Sequence, residues 1–226
     1  MIILDKIFNV EKIMNFCNYV YWFFVLNLLF MIFNIPVILY FIFLGYESIH
    51  IYLPLFLVCL LPVGPSFTAV LYTMGKIIKY KDISVFRDFF HGFKINFIQS
   101  ITFWIIELSL IFVLYTNFNF FNTQEYGKFL LPIFLLISII LIFLTPIIYI
   151  LISRFKMNNL QLFKTALTLC ITKPILTFSN IVAMLFFLML FEIAPSYTVL
   201  VMASGISFLM LFMNKSLLIY LENLSS

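Results

Sequence analysis

The residue whose chemistry fits its surroundings least is Glu107, an acid inside the apolar run 98–118. At about 1.5 Å per residue it lies roughly 15 Å into that run, near the middle of a bilayer. An ionised carboxylate there is costly, so Glu107 needs a proton, a partner or a hydrated cavity, and such residues mark functional sites by default. The alternative is a neutral acid bonded to another helix, with Asn27, Asn34, Asn180 or Thr145 as candidate partners. No span carries a cation to pair with it. Glu107, Asn27 and Asn180 form the candidate intramembrane polar site.

A second pattern covers 83–97. Phe86, Phe90, Phe93 and Phe97 fall at helical spacing, and Arg87, His91 and Lys94 repeat on another face. This predicts an amphipathic helix in the headgroup layer, rings in the acyl boundary and cations by the phosphates. The basic face Arg87, His91 and Lys94 would alternatively dock a partner protein. A third feature, Gly64-Pro65 with Pro62 before it, predicts a helix break inside an apolar run.

Other chemistry is excluded. Glu47 and His50 stand at chelating spacing, but two groups in an outer loop make no metal site, and with two histidines no metalloprotease motif is possible. Neither a nucleophile elbow nor a phosphate-cradling glycine loop is present, and no cofactor is implied. Cys17, Cys59 and Cys170 are widely spaced in apolar surroundings and read as small buried hydrophobes. Gly64, Thr68, Ala203 and Ser207 offer small surfaces for close packing between helices, or between subunits of a homo-oligomer.

The elements that must hold these residues follow from composition. Of 226 residues, 65% are hydrophobic and 10% charged, with mean hydropathy +1.17. A soluble domain is about 45–50% apolar and about 25% charged. This excess excludes a soluble enzyme, a nucleic-acid-binding domain and a disulfide scaffold, and its solvent is the lipid bilayer. The expected fold is all-α and polytopic, a single membrane domain over 1–226. Spans are expected at 22–44, 53–73, 98–118, 129–152, 174–191 and 196–213, as three helical hairpins with two inner amphipathic helices. A faint internal repeat supports this: a basic cluster and then Phe86-Arg87 follow Pro65, as Arg154-Phe155-Lys156 and then Phe163-Lys164 follow Pro146.

Charge sets the orientation. All 13 Lys and Arg except Lys128 fall at the termini or in the loops after the second and fourth spans. The positive-inside rule then places both termini in the cytoplasm of a multi-pass cell-membrane protein.

The element Gly64-Pro65-Ser66-Phe67-Thr68-Ala69-Val70-Leu71-Tyr72, followed by Val85-Phe86-Arg87-Asp88-Phe89-Phe90 and 93–100, resembles the YesL family. The Asn27-Leu28-Leu29-Phe30 stretch and Pro146 followed by Arg154-Phe155 are similar to it as well. That family comprises small polytopic membrane proteins of Gram-positive bacteria with a domain of unknown function. The resemblance implies an accessory role in carbohydrate uptake, beside a sugar transporter complex, and no catalytic residue. The expected function is thus a non-enzymatic accessory or regulatory component. The alternative is a small-molecule transporter that uses Glu107 at the midplane and helix breaks at Gly64-Pro65 and Pro146.

Overall fold

The computed structural model describes residues 10–80, 83–122, 124 and 129–225, and within them the chain is helical with no strand. Eleven α-helices follow in order: α1 (Val10–Phe33), α2 (Ile35–Leu44), α3 (Leu53–Cys59), α4 (Val63–Tyr80), α5 (Val85–Asn122), α6 (Leu131–Arg154), α7 (Asn159–Thr172), α8 (Pro174–Ile193), α9 (Pro195–Thr198), α10 (Met202–Met213) and α11 (Lys215–Ser225). Proline sets where many of them begin. Pro36, Pro54, Pro132, Pro174 and Pro195 occupy the first or second position of α2, α3, α6, α8 and α9. Their missing N–H is no loss there, because the first turn has no acceptor for it. Gly45, at φ 73°, ends α2 in a conformation that side chains disfavour.

Among the described residues five helical stretches are long and apolar enough to cross a bilayer: Phe16–Phe33, Leu53–Tyr80 (α3 and α4 taken together), Val85–Asn122, Leu131–Arg154 and Pro174–Ile193. A sixth crossing is made by α10 and α11 if that pair, bent by 60°, forms one span. This is a multi-pass helical membrane protein.

The bundle is organised around α4, which packs against α1, α5, α6 and α10. Ala69, Val70, Leu71, Met74 and Ile77 on α4 are wholly buried. The core face of α5 is Val85, Phe89, Gly92, Ser100, Phe103 and Glu107, at three- and four-residue steps with one eight-residue step between Gly92 and Ser100. Beyond Leu108 no residue of α5 is buried, and none of α6 before Leu144. Those halves of the α5–α6 pair are apolar and outward-facing, which suits acyl chains.

Several sequence expectations are corrected. The first span was placed at 22–44, but α1 starts at Val10 and the helix is interrupted at Asn34. The interruption is local competition: the Asn34 side-chain Nδ2 donates to its own helix at Phe30 O and to Ser66 Oγ on α4, each at 2.8 Å. The amphipathic segment 83–97 is not a separate helix; it is the first third of α5, because no proline or glycine pair interrupts the chain before the apolar run. Of the ring stripe expected in the acyl boundary, Phe86, Phe90 and Phe97 are exposed, while Phe89, which lies outside that stripe, is wholly buried. The span at 196–213 is a short α9, a turn at 199–201 and α10 of only 12 residues. What reads as a C-terminal tail is α11. Pro146 does not break its helix, for α6 runs through it. In the second half of the faint repeat the amphipathic piece is separate, as α7.

Candidate functional site

The three polar residues expected to act together have different partners in different places. Asn27 on α1 joins α10: its Oδ1 accepts from the Ala203 backbone N–H at 2.9 Å and its Nδ2 donates to Val199 O. One amide thus serves a donor at the start of α10 and a carbonyl freed by the turn before it. Asn180 on α8 accepts at Oδ1 from Asn214 Nδ2 at 2.6 Å, at the bend between α10 and α11. Glu107 on α5 meets α6, where Tyr149 Oη donates to Glu107 Oε2 at 3.1 Å. Its other oxygen, Oε1, is buried without a partner.

Sequence reasoning missed Tyr149 because a tyrosine in an apolar run counts as hydrophobic. Its signal is its place one helical turn after Thr145. A cleft of about 260 Å³ between α5, α6 and α7 reaches Glu107 and is otherwise lined mainly by Phe103, Ile106, Leu144 and Ile148. The hydroxyls of Tyr149 and Thr145, both on α6, are a sparse shell for a carboxyl group, which can accept several hydrogen bonds.

Gly64-Pro65 lies in the first turn of α4, just after the interruption at 60–62 rather than at it. The pair is buried, and a Cβ on Gly64 would stand 2.6 Å from the Trp104 ring. This close approach lets Trp104 Nε1 donate to Leu60 O at 2.7 Å, helping to satisfy a carbonyl at the interruption. Three interruptions, at Asn34, at 60–62 and at 199–201, border one apolar cleft of about 500 Å³. Asn27, Asn34, Val63, Val199 and Ala203 line it, and Asn34 Oδ1 is buried without a partner. Glu107 is not among its lining residues.

Several charged groups of α4, α5, α6 and α11 meet. Lys76 on α4 pairs with Asp88 on α5 at 2.7 Å, and Lys79 pairs with Glu222 on α11 at 2.9 Å. Arg154, at the end of α6, is 3.9 Å from the same Glu222 and donates from Nη2 to Gly75 O at 3.2 Å. The expected partner face lies here too: Arg87, His91 and Lys94 are exposed on α5. At about 1.5 Å per residue the 38 residues of α5 span ~57 Å, nearly twice the ~30 Å hydrocarbon thickness. Gln99 Nε2 donates to Met157 O, just past the end of α6, at 2.9 Å, so the part of α5 before Gln99 extends beyond that end.

Among the described residues no three His, Cys, Asp or Glu side chains are grouped to hold a metal ion. His50 Nδ1 is hydrogen-bonded to Tyr115 Oη, and its ring stacks on that of Tyr115. The three cysteines are free thiols.

A family model described as "Protein of unknown function, DUF624" matches residues 23–118. The matched segment includes Asn27, Asn34, Gly64-Pro65, the basic face of α5 and Glu107, and it ends before Tyr149 and Arg154. No curated protein and no solved structure matches this chain.

Proposed function

We propose that this chain is a non-enzymatic accessory or regulatory component of a membrane complex, linked to carbohydrate uptake and seated in the cell membrane with both termini in the cytoplasm. The observation that carries the reading is the extension of α5 beyond the end of α6, with Arg87, His91 and Lys94 exposed on it. A rigid, cationic helical arm is suited to a partner's acidic groove. The gathering of Lys76, Lys79 and Arg154 at that end supports a cytoplasmic placement. The carbohydrate link rests on the resemblance to the YesL family, with which the DUF624 match over residues 23–118 is compatible. The test is purification of the full chain from native membranes in mild detergent. Subunits of a sugar transporter are expected to co-purify and to be lost in the double variant Arg87→Glu, Lys94→Glu. Recovery of lipid alone, or equal recovery of transporter by that variant, would overturn the reading.

A second reading, a small-molecule transporter, is favoured by the apolar cleft that three helix interruptions share. Transporters form their binding sites at such discontinuities. Glu107, near the midplane, would then act from a neighbouring cleft. Uptake by reconstituted vesicles that falls in Glu107→Gln would support it, and absence of flux for sugars, ions or protons would end it.

A further inference from the structure

A third cavity, of about 570 Å³, opens between the extended part of α5, the middle of α4 and the connection from α6 to α7. Its polar lining includes His91, Asn96, Gln99, Arg154, Lys156 and Asn158, with the Tyr72 ring on one wall. No Asp or Glu is among the lining residues. Two carboxylates of the neighbouring helices pair with lysines outside the lining: Asp88 binds Lys76 at 2.7 Å, and Glu222 binds Lys79 at 2.9 Å. Glu222 stands as far as 3.9 Å from Arg154, so it compensates that guanidinium weakly.

The donors are in surplus. Arg154 has a side chain only 15% exposed, and its Nε is buried with no acceptor. The Nδ2 of Asn96 is likewise buried without an acceptor. An isolated guanidinium removed from water is unfavourable unless an anion or several acceptors meet it. Gly75 O is one acceptor at 3.2 Å, and a guanidinium has five N–H donors. Lys156, exposed and among the lining residues, adds a positive charge. Gln99 is held in place by donating to Met157 O and Asn159 Oδ1 at 2.9 Å, and Asn158 caps α7, so both act as walls. The cavity has room for a small polar group and for part of whatever carries it, and its lining suits an oxyanion with several acceptor oxygens.

We propose that this cavity binds a phosphate group, with Arg154 as the fork that holds it, Asn96 as a neutral donor and Lys156 as the charge that draws it in. Arginine presents paired N–H groups matched to phosphate oxygens, whereas lysine contributes a point charge. The source is either the headgroup of an anionic phospholipid at the membrane surface or a phosphate carried by a soluble molecule. The site is separate from the docking face used above, although His91 touches both.

The experiment uses the full chain in nanodiscs of phosphatidylcholine, titrated with inorganic phosphate and followed by 31P NMR. It is repeated in discs that contain phosphatidylglycerol. Lys156→Glu, at an exposed position where folding is not at stake, and Asn96→Asp, close in shape but bringing a negative charge, are each expected to weaken binding about tenfold or more. Loss of the phosphate response in phosphatidylglycerol discs would identify the headgroup as occupant, and an unchanged response would identify a soluble phosphate. The proposal is overturned if the wild-type chain neither binds phosphate nor retains phosphatidylglycerol over phosphatidylcholine, or if Lys156→Glu leaves both unchanged.

Discussion

Residues 85–122 and 159–193 begin alike and end differently. Each follows the basic end of the bundle with an amphipathic stretch and then enters an apolar run. In the first, the two pieces are one helix of 38 residues. In the second, α7 stops at Thr172, Lys173 takes φ −126° and ψ 57°, and α8 starts at Pro174. Proline cannot supply the N–H that would continue the ladder, and it disfavours the helical conformation for the residue before it. At the corresponding handover in α5, Phe97 and Ile98 both keep their N–H. The difference is mechanical: the arm bearing Arg87 and Lys94 is rigidly coupled to its span, and α7 is hinged to its own.

Breaking the first region gives the largest effect. Ile98→Pro, at a position 79% exposed, removes a ladder bond and leaves the core untouched. It is expected to cost about 3 kcal/mol or more in thermal unfolding in micelles. A loss below ~1 kcal/mol would mean that the arm and the span of α5 are not one cooperative unit. Next in size is Gly92→Ala. The new Cβ would lie 2.5 Å from the Tyr72 ring, so α4 and α5 must part, at an expected cost of about 1–3 kcal/mol in the same assay.

In the second region the cap is the sensitive point. Asn158 and Gln161 form a reciprocal capping box, and Asn158→Ala is expected to destabilise by about 1 kcal/mol, seen as faster amide exchange in the first turn of α7. Tyr149→Phe removes the hydroxyl that donates to Glu107 Oε2 from α6, with an expected loss of ~0.6 kcal/mol and at most ~1.7. Pro174→Ala gives the smallest change, within about 0.5 kcal/mol, because proline at the first helical position loses little. Leu162 and Ala166 of α7 are wholly buried, so packing should keep the hinge bent. Spin labels at exposed Leu160 and Met189 should then keep their separation; a longer distance would show that proline alone makes the break.

How much of this was legible depends on which force decides each feature. Long apolar runs, proline at helix starts and the sorting of cations are local or solvent-driven, and the spans at 129–152 and 174–191 agree with α6 and α8 to within a few residues. Which face of α5 turns to the core was not legible. In a membrane protein apolar residues point outward as readily as inward, so a stripe of Phe does not mark the interior. The better signal is the small and polar series Gly92, Ser100 and Glu107. The interruption at Asn34 and the pairing of Glu107 with Tyr149 needed the neighbouring helices, because each polar group chose among partners far away in sequence.

Composition and charge alone made this a helical membrane protein with one cationic end, because transfer of apolar side chains out of water and the placement of Lys and Arg depend on solvent rather than on neighbours. Tertiary structure decided which polar groups meet, where the helices are interrupted, and that Arg154 and Asn96 hold unused donors beside a cavity. Those outcomes rest on hydrogen bonds, which are short-ranged and directional, and no one-dimensional pattern specifies where such groups come together.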